Sequence, residues 1–87
     1  LEAEDVRRVR FNSTTFRAGY NVDEVDAFLE RVEAHLRSRE AGRPSGTLSA
    51  EAVVDQKFRP TKFRSGYDQD DVDDFLDRIV TELRRPR

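Results

Sequence analysis

Cysteine is absent from these 87 residues, and its absence removes disulfides, thiolate nucleophiles and cysteine-based zinc sites together. No apolar run approaches the roughly 20 residues that a membrane-spanning helix needs. No secretory leader is visible at the N-terminus, and the lack of an initiator methionine fits a processed chain, a detagged one or a fragment. Histidine occurs once, at position 35, and no GxSxG elbow, HExxH pair or phosphate-binding glycine run is present. Charge of one sign is also missing in bulk. The net charge of −2 argues against general nucleic-acid affinity, so any electrostatic role falls to local patches. With 39% charged and 36% hydrophobic residues, the core must be lean and its elements must pair efficiently.

What is present is a repeat. Shifting the chain by 47 residues lays 1–37 over 48–84 with 18 identities in 37 positions. The matches fall in blocks. Phe11/Phe58, Phe16/Phe63, Arg17/Arg64, Gly19/Gly66 and Tyr20/Tyr67 form one; Val25/Val72, Asp26/Asp73, Phe28/Phe75, Leu29/Leu76, Arg31/Arg78 and Leu36/Leu83 form another. We therefore divide the chain into a first repeat at 1–40, a Gly/Pro linker at 41–47 and a second repeat at 48–87. Counted from Arg39 to Leu48, the linking segment reaches about 33 Å when extended, and the helix before it is about 25 Å long. Length leaves parallel and antiparallel packing both open.

Each repeat reads as a short helix, a loop and a long helix. The short helices are expected over 2–9 and 50–56, the loops over 10–20 and 57–67, and the long helices over 22–39 and 69–85. Asn21 and Asp68 occupy the N-cap positions, with Glu24 and Asp71 three residues on, as in a capping box. Gly19 and Gly66 are expected to supply a tight or positive-φ turn into the cap. The apolar stripes are Val25, Leu29, Val32 and Leu36 in one long helix and Val72, Leu76, Ile79 and Leu83 in the other, at heptad-like spacing. The fold class expected from this pattern is all-α, with the two motifs pairing through these stripes as a pseudo-twofold bundle or short coiled coil.

Catalytic chemistry is poorly supplied. His35 reads as an exposed or helix-end residue. The acidic run 68–74 departs from a calcium loop, with Asp73 where glycine is required and Ile79 where the bidentate glutamate belongs. We expect no catalytic residue, no metal and no cofactor. The charge pattern says more. The stretch 6–20 holds Arg7, Arg8, Arg10 and Arg17 without an acid, and 57–67 holds Lys57, Arg59, Lys62 and Arg64 without one. Each basic loop precedes an acidic helix start. Pairing of loop cations with these acids is the plain structural reading. The loops also place an aromatic beside a cation, at Phe16-Arg17 and Phe63-Arg64. Exposed at a loop tip, such a pair can enter the acyl–headgroup boundary while the cation holds phosphate. Folded inward, Phe16 and Phe63 are loop anchors only, and small proteins rarely leave phenylalanine exposed. Phe11 and Phe58 are assigned to the core.

The run FRAGYNVDEVDAFLERV and its second copy FRSGYDQDDVDDFLDRI resemble the N-terminal domain of DivIVA-type proteins, as does the opening Leu-x-x-Glu-x-Val pattern of 1–6, which 48–53 repeats. The resemblance covers both repeats. It implies a non-enzymatic bacterial scaffold of cell division or polar growth, cytoplasmic and peripheral to the inner face of the membrane. It also implies a parallel dimeric domain whose loops present an aromatic and a cation to lipid. On that basis Phe16, Arg17, Phe63, Arg64, Arg10 and Lys62 are the candidate membrane-binding residues. Expected partners are the chain itself, as an intramolecular pseudo-dimer or homo-oligomer, an anionic membrane surface, and cell-division or cell-wall proteins, with no nucleic acid. The chain departs from the family pattern in lacking a long coiled coil, in being duplicated, and in an extra loop residue (Ala18, Ser65). A soluble protein–protein adaptor without membrane contact is the alternative.

Overall fold

A computed structural model describes residues 1–43 and 48–85. The part of the expected linker at 44–47 and the end of the second repeat at 86–87 lie outside the described residues. Four helices and four short strands follow in order: α1 (Ala3–Arg8), β1 (Ser13–Thr14), β2 (Gly19–Tyr20), α2 (Val22–Glu40), α3 (Ala50–Asp55), β3 (Pro60–Thr61), β4 (Gly66–Asp68) and α4 (Gln69–Leu83).

The sheet overturns the all-α expectation. The stretches read as loops carry a four-stranded antiparallel sheet in the order β1-β4-β2-β3. Its strands are two or three residues long, too short for a period-two pattern to register in sequence. Every ladder joins one repeat to the other. Ser13 and Thr14 pair with Tyr67 and Gly66; Gly19 and Tyr20 pair with Thr61 and Pro60; at the centre Tyr20 faces Tyr67. Adding 47 to one outer register reproduces the other, so a pseudo-twofold axis passes between the two tyrosines. Because β1 and β2 are both antiparallel to β4, which lies between them, they run the same way, and residues 15–18 cross the sheet to join them. Residues 62–65 do the same in the second repeat.

The same strands explain the glycines. Neither Gly19 nor Gly66 has positive φ, so the expected turn role is corrected. A Cβ at Gly19 would lie 2.7 Å from Thr14 Cγ2 and 2.8 Å from the Tyr67 carbonyl oxygen, and one at Gly66 would overlap Thr61 Oγ1. Close approach of the strands, not backbone dihedral, requires glycine here.

The long helices start at the caps read from sequence. Asn21 Oδ1 accepts from the Glu24 N–H at 3.0 Å, and Asp68 Oδ1 accepts from the Asp71 N–H at 3.1 Å. The reciprocal half of each box is replaced by a clamp from the opposite repeat. The Arg59 N–H donates to Glu24 Oε1 at 2.8 Å while the Asn21 N–H donates to the Arg59 carbonyl at 2.9 Å. Asn12 does the same for Asp71 and Asp68, at 2.9 and 2.8 Å. Each clamp satisfies N-terminal amides that would otherwise be orphaned.

The helices run in the same direction. They begin side by side at the sheet, where the Tyr20 hydroxyl donates to Asp73 and the Tyr67 hydroxyl to Asp26. They end side by side at α1, whose Ala3 N–H donates to Glu40 Oε2 while the Leu1 nitrogen donates to Glu82 Oε1. One core holds Val25, Leu29, Val32, Leu36, Val72 and Ile79 as buried members, with Leu76 and Leu83 packed against it half-buried. α1 and α3 add Ala3, Val6 and Val53. Phe58 is buried, whereas Phe11 is only partly so. His35, expected at the surface, is 7% exposed, because it lies on the core side of α2 beside Leu36. Burial, reinforced by the Arg39 charge, pushes its pKa below the ordinary histidine value.

Candidate functional site: two crossing loops

The crossings at 15–18 and 62–65 are exposed throughout. Phe16 is 83% exposed and Phe63 72%. Of the two readings open for these rings, the inward loop anchor is therefore the one that fails. The topology supplies the reason: a short crossing over a sheet already packed on the helices leaves the ring no core to enter. The pseudo-twofold axis is normal to the sheet at the Tyr20–Tyr67 pair, so it maps each face onto itself and sets both loops on one face.

The cations around the rings differ between loops. Phe63 holds φ at +62°, a left-handed conformation that a bulky residue adopts only under constraint. The Lys62 ammonium lies 5.5 Å from its ring centre, within cation–π range. Arg64 is exposed beside it. In the first loop the Arg17 guanidinium makes a close ion pair with Asp68 of the second repeat. Its counterpart Arg64 has no such opportunity, since Asn21 stands where Asp68 would be. Arg10 lies outside the crossing, before β1, and donates to the carbonyls of Arg8 and Val9 at 3.3 and 3.0 Å. The six residues named from sequence thus divide. Phe16, Phe63, Lys62 and Arg64 are displayed, Arg17 is displayed but paired, and Arg10 is turned onto its own backbone.

Behind the loops the sheet is braced. Phe11 packs edge-on against Tyr67 and Phe75, with centroids 5.2 and 5.9 Å apart. In the mirror positions Phe58 packs against Tyr20 and Phe28, at 5.4 and 5.8 Å. Each such pair adds about 0.5–1.5 kcal/mol beyond area burial. Loss of solvent, the carboxylate hydrogen bond and nearby negative charge push both tyrosine pKa values up to about 12. The loops therefore rise from a rigid base.

A second surface feature escaped the sequence reading. Val54 is 54% exposed on α3, and with Leu76 and Val80 of α4 it lines a groove of about 440 Å³. Val54 and Val80 stand where the first repeat has Arg7 and Glu33, so a column-by-column comparison of the repeats carries the signal.

No helix of the described residues is long and apolar enough to cross a membrane. No family model, curated protein or solved structure matches the chain.

Proposed function

We propose that this protein is a non-enzymatic DivIVA-like interaction module that seats its two crossing loops on anionic membrane at the cytoplasmic face. Its role belongs to bacterial cell division or polar growth. The observation that carries this reading is the pair of phenylalanines, 83% and 72% exposed, on one face and each next to an arginine. Isolated exposed apolar residues are common, but two large rings on one rigid face form a patch that calls for an apolar environment. A single ring with one cation binds weakly; two on one base bind with avidity. Lys62, Arg64 and Arg17 supply the phosphate-facing charge. Arg17 would exchange Asp68 for lipid phosphate, so the second loop carries the larger electrostatic share.

The test is co-sedimentation with phosphatidylglycerol-containing and neutral phosphatidylcholine vesicles, comparing the chain with a Phe16→Ser, Phe63→Ser variant whose helicity is checked by circular dichroism. Binding to anionic vesicles alone, lost in a folded variant, is the expected result. If the unaltered chain stays in the supernatant at low salt, the membrane role fails. The adaptor reading, in which the module contacts only cell-division or cell-wall proteins, then takes its place.

A further inference from the structure

The groove on the second repeat lies on a different surface from the loops. Its floor is Val53, Phe58 and Leu76, and its apolar rim is Val54 and Val80. In the first repeat the equivalent face carries charge along both helices. Arg7 and Arg8 pair with Glu4 at 3.3 and 3.1 Å, and Arg37 pairs with Glu33 at 2.7 Å. Leu29 is buried there, whereas its counterpart Leu76 is only half-buried. The charge balance also differs. Over matched positions, 50–55 with 69–83 carry eight acids and one arginine, whereas 3–8 with 22–36 carry seven acids and three arginines.

We propose that the valley between α3 and α4 docks an amphipathic helix of a partner protein, with lysines or arginines flanking its apolar stripe. Leu76 and Val80 are one helical turn apart, so they form a ridge edge that fits the groove of another helix. Val54 on α3 forms the facing wall. Asp77 and Asp73, the latter also accepting from the Tyr20 hydroxyl, line the same valley against a single cation, Lys57, and give basic flanks a partner. The two acids outweigh Lys57, so the valley favours a cationic occupant over anionic lipid. The asymmetry makes the site single, so one chain takes one helix despite its twofold architecture.

The probe is a synthetic leucine–lysine peptide with an i, i+4 apolar stripe, titrated into the full chain and followed by amide chemical shifts. Controls are a scrambled peptide and one with glutamate for lysine. Shifts should concentrate on α3 and α4 around Val54, Leu76 and Val80. Both controls should fail to produce them. Replacing Val54→Arg and Val80→Glu, the residues of the first repeat, should weaken binding about tenfold or more while leaving vesicle binding unchanged. A Val54→Ser, Val80→Ser variant of unchanged urea midpoint guards against a folding artefact and should also bind more weakly. Shifts spread equally over both repeats, equal binding of the glutamate peptide, or affinity indifferent to both variants would overturn the proposal. So would a concentration-dependent dimer that the variants dissolve, since the occupant would then be a second copy.

Discussion

The two repeats agree where they touch and differ where they face outward. Most groups that join them occur twice: the outer ladders, the tyrosine–aspartate bonds, the Asn12 and Arg59 clamps and the aromatic pairs. Among the exceptions are the Arg17–Asp68 ion pair and the bond from Gln69 to the Gly19 carbonyl. The outer faces are unlike. Arg7 and Glu33 become Val54 and Val80, and the ion pair of Arg17 has no twin at Arg64. Two copies of one motif can exchange strands only if their shared surface stays self-complementary. The outward faces carry no such constraint, and one repeat is free to acquire an apolar valley while the other keeps a charged surface.

The sharpest break of this comparison is at the paired phenylalanines. Phe58 is 8% exposed and closes the base between Tyr20 and Phe28. Phe58→Ala should cost about 3–5 kcal/mol. Phe11, its partner by symmetry, is only partly buried, and Phe11→Ala should cost about 2 kcal/mol. Urea unfolding of the two variants measures the difference. Equal losses would mean that the bases are energetically equivalent despite their unequal burial.

Next in size are the strand glycines. Ala at either position is overpacked, with an expected loss of about 1–3 kcal/mol. Gly66→Ala should be the worse, because it meets Thr61, which is 3% exposed and cannot swing aside. At Gly19 the half-buried Thr14 methyl has room to move, and the clash left is with the Tyr67 carbonyl oxygen at 2.8 Å, a longer approach than the overlap at Gly66. A Thr61→Ala change should recover part of the Gly66→Ala loss, and its own cost should be small, since Thr61 Oγ1 is buried without a hydrogen-bond partner. Urea midpoints of the single and double variants read this out.

How much of this was legible in sequence follows from the length over which each signal accumulates. α2 and α4 announce themselves through the Asn21 and Asp68 caps and stripes many residues long, and their starts were placed correctly. The sheet was invisible because its strands are two or three residues long and pair only across the repeat. Gly19 and Gly66 stood out as glycines, but their reason lies in Thr61 and Thr14, brought in from other strands. The exposure of Phe16 and Phe63 depends on the crossing topology, which pattern alone does not contain. His35 reads from sequence as exposed or helix-end, but it is 7% exposed and lies beside Leu48, Ala50 and Leu83 of the second repeat, which periodicity in α2 says nothing about. The residues were singled out from sequence; the sheet decides which way they face.

The smallest expected effect concerns the two tyrosines on the pseudo-axis. Both phenols titrate at about 12 in the folded protein, against about 10 in an unfolded chain. The sign follows directly. A pKa raised by folding favours the folded state while the phenol stays protonated, so the contribution is full below pH 10 and is lost as pH rises towards 12. Tyr20 and Tyr67 differ in one neighbour: the Arg10 charge lies near Tyr67 and lowers its pKa slightly, an influence that Tyr20 does not feel. Spectrophotometric titration of tyrosinate in Tyr20→Phe and Tyr67→Phe variants isolates each remaining phenol. Asp73→Asn should draw the Tyr20 midpoint back towards 10, and Asp26→Asn should do the same for Tyr67. Arg10→Ala should raise Tyr67 alone. If Arg10→Ala moved both midpoints together, the two phenols would titrate as one coupled unit across the axis, and the electrical environments of the repeats would be alike at their shared centre.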